Sequence, residues 1–112
     1  MGNAYKRFEE TLSAATPAVV LTVPGATTAI VKSILISNTS ANISDITVTF
    51  SPAGVGTHTL MPLESVLSND YVDLLSGWSA GPLVLEESDT LSVTSSQSNV
   101  FVVVSALLVD RT

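Results

Sequence analysis

Two stretches of this chain are apolar at consecutive positions: Ile34-Leu35-Ile36, and nearly every residue from 100 to 109. Successive side chains of an extended strand point to opposite faces, so such runs are apolar on both faces. They belong in the middle of a sheet system, covered on both sides, or against another subunit. Residues 30–50 add a contrast. Ile30, Val31, Ile34, Leu35 and Ile36 form an apolar strand, and residues 37–42 read as a polar turn. Beyond them Ile46, Val48 and Phe50 alternate with Thr47 and Thr49. Period-two alternation predicts one face in a core and the other toward water or a neighbour. Residues 28–50 therefore predict a hairpin.

The remaining segments read in the same way. Residues 1–13 carry a high density of charge and predict an extended arm that becomes an edge strand, with a break at Ala14-Ala15-Thr16-Pro17. A short strand over 18–23 ends at Pro24-Gly25, where Pro presets φ at the first central position of a turn and Gly accepts positive φ at the second. A turn at 51–56 leads to a short strand at 57–61, which Pro62 ends or confines to a sheet edge. Residues 66–75 predict one strand and 76–82 a loop. Strands at 83–85 and 90–94 flank an acidic turn at 86–89, and a turn at 95–99 precedes the last strand. Strands every eight to twelve residues, with no amphipathic helix, indicate an all-β chain. The architecture expected is a single β-sandwich, jelly-roll-like, or a small barrel. The division expected is an arm or edge strand over 1–16 and the sandwich over 17–112.

Composition excludes several functions. Only 12% of the 112 residues are charged and the formal net charge is −6. Lys6, Arg7, Lys32 and Arg111 are the basic residues, too few to cluster against phosphates or an anionic membrane. With no cysteine there is no disulfide framework and no thiolate site. Charges near the N-terminus do not fit a signal peptide, and the apolar runs fall far short of a membrane span.

Candidate sites are sparse. His58 needs a nucleophile and an orienting acid to act as a base; between Thr57 and Thr59 it reads as a surface or interface histidine. Glu86, Glu87 and Asp89 match no calcium-loop spacing and read as a solvated turn in which Asp89 caps its own backbone. Asp70 and Asp73, three apart on a strand, face opposite sides and share no chemistry. No cofactor, no metal and no catalysis are expected. Trp78, in a Gly/Ser loop, is either folded over the end of the sandwich or an anchor in a protein contact, where Trp is enriched. Tyr5, Phe8, Leu12 and Tyr71 are further interface candidates.

The series Val23-Pro24-Gly25, then 29–40, Gly81-Pro82-Leu83-Val84-Leu85-Glu86, Asp89-Thr90-Leu91, Ser95-Ser96 and the valine-rich last strand resembles small β-sandwich virion proteins of tailed bacteriophages. The resemblance spans about residues 20–108, and its motifs are structural. Where that pattern often places Gly before Asp-Thr-Leu, this chain has Ser88. The resemblance implies no enzyme, no cofactor and self-assembly, often as trimers. It also implies the major capsid protein or other virion proteins as partners. The function expected is a capsid cement or decoration protein, made in the host cytoplasm and located on the virion. The alternative is a tail, neck or fibre module, receptor- or glycan-binding.

Overall fold

The computed structural model describes residues 3–52, 56, 58–75 and 83–110, with the backbone alone at 61–63. Among these residues the chain forms nine strands and no helix. They are β1 (Ala4–Leu12), β2 (Ala18–Thr22), β3 (Thr27–Asn38), β4 (Ser44–Ser51), β5 (His58–Val66), β6 (Asp70–Asp73), β7 (Leu83–Leu85), β8 (Thr90–Ser95) and β9 (Val100–Asp110). One sheet has the order β1-β9-β3-β6, with β7 pairing β3 beside β6; the other has the order β2-β8-β4-β5. All the pairings between named strands are antiparallel. The chain folds first and last strands together and winds inward in matched pairs, which is the jelly-roll form of the β-sandwich.

Alternation explains the core. Ile34 and Ile36 on β3, Ile46 and Val48 on β4, and Val102 and Val104 on β9 are fully buried between the sheets. Thr47 and Thr49 point the other way, and Phe50 packs at the margin of the core. The N-terminal segment is an edge strand rather than a free arm. β1 pairs with β9 from Ala4↔Leu108 to Leu12↔Val100. Lys6 and Glu10 lie on its inner-facing side yet remain exposed. Inward-pointing charge of this kind discourages stray pairing at a sheet edge. β5 is also an edge, and it runs through Pro62 at a register shift between Ile46↔Glu64 and Val48↔Met61. A bulge on an edge strand is where a sheet tolerates proline.

Four expectations need correction. Residues 28–50 are not a hairpin: β3 belongs to the sheet of β1 and β9, and β4 to the other. The polar residues between them carry the chain across the sandwich, and the Asn38 side chain ties this segment, at Ser40 and Asn42, to the far strand's end at Val66. Residues 66–75 are not one strand. β5 ends at Val66, and β6 begins at Asp70 in the opposite sheet, after a turn with Asn69 at φ 58°; Asn tolerates that conformation better than most residues. At Pro24-Gly25 the positive φ falls on Ala26, at 54°, because the turn is set one residue later. The Ala26 N–H donates to Glu87 Oε2 at 3.2 Å and fixes it there. Finally, β3 and β9 are central in their sheet, but only their inner faces are covered.

The acidic turn explains the Ser88 departure. The Asp89 N–H donates to the Glu86 carbonyl at 3.1 Å, so Glu87 and Ser88 are the central residues. Ser88 has φ 66°, the position that glycine occupies without a Cβ penalty. Ser88→Gly is expected to stabilise the protein by about 1 kcal/mol. That raises the melting temperature by roughly 4 °C, measurable by thermal circular dichroism.

Candidate functional site: the outer face of the five-stranded sheet

The two outer faces of the sandwich differ in chemistry. On the four-stranded sheet, cross-strand pairs are Thr47–Thr94, Thr49–Ser92 and Thr49–Thr59, a surface mainly of hydroxyls, with the exposed Val19 opposite Ser92 on β2. On the five-stranded sheet the register aligns apolar side chains instead. Directly opposed residues of antiparallel strands share a face, so the pairings can be read as rows. Tyr5 opposes Leu107, Leu107 opposes Ile30, and Ile30 opposes Val84, giving one apolar row across four strands. Toward the other end, Glu9, Val103, Leu35 and Asp73 form a second row, and Thr11, Phe101, Ser37 and Tyr71 a third. Between them lie Arg7, Ser105 and Ser33, with the exposed Lys32 beside Ser33 at the register shift of β3.

The face is open in the single chain. Tyr5 is 75% exposed, Tyr71 71%, Val84 50% and Phe101 43%. Large apolar residues scattered singly are ordinary on a protein surface, but a contiguous patch is not. The Arg7 guanidinium pairs with the Glu9 carboxylate at 2.5 Å on the rim strand, both side chains more than half exposed. A shallow depression at that margin is lined by Glu9, Glu10, Thr11, Phe101, Val102 and Val103.

The interface candidates read from the sequence separate clearly. Tyr5 and Tyr71 stand on this face at opposite corners. Phe8 faces inward and is half-buried against the core. Leu12, 1% exposed, fills the core and presents nothing to a partner, because its register with Val100 puts it on the inner side of β1. Trp78 lies outside the described residues. Leu35, Val84, Phe101 and Leu107 complete the face and were not singled out. Their signal was the apolar character of β3 and β9 on both faces.

The other candidates have structural roles. His58 is exposed, and its ring stacks on Phe50 at 6.5 Å between centroids. Asp89 accepts the Glu86 N–H at 2.8 Å through Oδ2, so it does cap its own turn. Asp73 Oδ1 accepts from the Ile34 and Leu75 amides at 3.3 and 3.0 Å. Asp70 Oδ1 accepts from the Tyr71 amide at 2.8 Å. Among the described residues no cluster of His, Asp and Glu is placed to hold a metal.

No protein-family model matches the chain, and no curated protein does. Solved structures share its fold. One is a chain from the disulfide-linked pili of Bacillus endospore appendages, with TM-score 0.59 and 13% identity over 98% of this chain and 88% of that one. Another is a chain from the T13 viral particle of IBDV, with TM-score 0.55 and 11% identity over 97% of this chain. The present chain spans only 31% of that viral one. At these identities the likeness is one of fold. It extends over nearly the whole length of this chain, the edge strand β1 included.

Proposed function

We propose that this chain is a non-enzymatic structural protein of a bacteriophage virion, a capsid cement protein that self-associates and binds the shell. The observation that carries the reading is the contrast between the apolar outer face of one sheet and the hydroxyl face of the other. A domain that leaves one such face open is built to be covered in an assembly. Two of the chains that share its fold come from assemblies, a viral particle and a pilus. Self-association multiplies modest contacts with a shell into a strong total, because the second contact of a bound oligomer is intramolecular. The trimer implied by the phage resemblance is one form of it.

A second reading, a tail or appendage module, is favoured by the pilus likeness. The chemistry would differ from that of the named pili, since this sequence has no cysteine to link subunits. Mixing the purified protein with undecorated capsids tests the choice. The expected result is saturable binding that raises the temperature at which shells open. A protein that ignores capsids but co-purifies with tails belongs to the second reading. Deleting residues 1–12 is a poor probe of contacts, because it strips β9 of its partner and takes Leu12 from the core.

A further inference from the structure

Resting on the reading of a self-associating structural protein, the geometry points to the partner that covers the apolar face: a second copy of this chain. The two five-stranded sheets pack face to face about a two-fold axis that lies in the interface, across the strands. A two-fold contact uses the same patch on both copies, so the patch must complement itself. This one does. The axis passes between the row of Arg7, Ser105 and Ser33 and the row of Glu9, Val103 and Leu35. Rotation then lays Arg7 over the partner's Glu9, and Glu9 over the partner's Arg7. The intrachain pair at 2.5 Å becomes half of a ring of four alternating charges.

The same rotation sets large over small. Ser105 comes to lie over the partner's Val103, and Ser33 over the partner's Leu35, with Lys32 at the bulge falling between the partner's Leu35 and Ser37. Ile30 lies over the partner's Ser37, and Tyr5 over the partner's Thr11. Only the Leu107–Phe101 and Val84–Tyr71 contacts join two large groups. The alternative two-fold, along the strands, does worse. It sets Ser33 over the partner's Ser105, small group on small. It also stacks Glu9 on the partner's Asp73, a like-charge contact that costs affinity.

The size is adequate. Four strands spaced about 4.8 Å apart and roughly 25 Å of their length give a projected face near 500 Å² per copy. Two such faces reach about 1,000 Å², the lower bound for a specific interface. Sheets packed this way align within about 30°, so the rows stay matched near the axis. A trimer is compatible with the pairing only if trimers join in twos.

Sedimentation of the full chain at micromolar concentration should give a dimer or an even multiple of it. Arg7→Glu, at an exposed position, should weaken the association about tenfold by setting like charges together twice. The swap Arg7→Glu with Glu9→Arg should restore it. The absence of native cysteine makes cross-linking specific. Tyr5 and Thr11 lie roughly 20 Å apart along β1, yet the rotation superposes them between copies. A short bis-maleimide should therefore join Tyr5→Cys to Thr11→Cys when the two variants are mixed, and neither variant to itself. Monomers or odd oligomers lacking this cross-link, in a protein that still binds capsids, overturn the pairing and leave the structural role standing. Failure of both self-association and capsid binding removes both. Charge reversal without effect also overturns the proposed orientation.

Discussion

Val104→Asp is expected to unfold the protein, and Val103→Asp, one residue away, is not. Val104 is fully buried on the inner face of β9, between its register partners Phe8 on β1 and Ile34 on β3. An aspartate there is enclosed by Phe8, Ile34, Val102 and Ala106, and the inward-facing cation of β1, Lys6, stays exposed at the sheet edge. Burying an unpaired carboxylate costs several kcal/mol even after it takes up a proton. A domain of this size has only about 5–15 kcal/mol to lose. Circular dichroism and thermal melting should show no cooperative transition, and the variant should accumulate insoluble. Val103 points to the outer face, where a carboxylate keeps contact with water. Val103→Asp should melt cooperatively but lose the self-association that the open face supports. Ile36→Asp, also fully buried, should behave as Val104→Asp does. A soluble, cooperatively melting Val104→Asp would mean that β9 faces the other way.

That pair of variants separates what the sequence makes legible from what it hides. Alternation in Ile46, Val48, Thr47 and Thr49 assigns the two sides of β4 correctly, because period two is a local property. The turn at 86–89 is equally local, and Asp89 caps it as its residue type predicts. The apolar character of β3 and β9 was legible, but not how it would be satisfied. Core and open face look alike when strands are read singly. They separate only when register places Tyr5, Leu107, Ile30 and Val84 in one row, and those residues come from four strands far apart in sequence. Two sheet crossings were missed for a similar reason. A run of polar residues between apolar ones signals a break in a strand, but a hairpin turn and a crossing between sheets share that signal. The positive φ at Ala26 depends on Glu87, sixty-one residues later, and no propensity encodes such a contact.

Asn38 decides the first crossing, and its replacement should have the next largest effect. It is buried at the end of β3, and its amide is fully used. Nδ2 lies within donating distance of the carbonyls of Asn42, Val66 and Leu67 at 2.8, 3.0 and 3.3 Å. Oδ1 accepts from the Ser40 amide at 2.9 Å and from the Ser40 hydroxyl at 2.6 Å. One side chain thus joins the end of β3, the crossing and the end of β5. Asn38→Leu keeps the branched shape, adds some bulk, and leaves buried carbonyls without a donor. Each such group costs about 1–3 kcal/mol, so a loss of roughly 3–5 kcal/mol is expected, read as a lower urea midpoint with unchanged slope. Asn38→Asp isolates the donor role. An ionised carboxylate cannot donate and repels the three carbonyls, whereas the protonated acid donates once. That environment raises the folded-state pKa of the new carboxyl above its unfolded value. Its destabilisation should accordingly be smaller in mild acid and grow as pH rises through the folded pKa. An Asn38→Leu protein as stable as the parent would show that the crossing is held by packing alone.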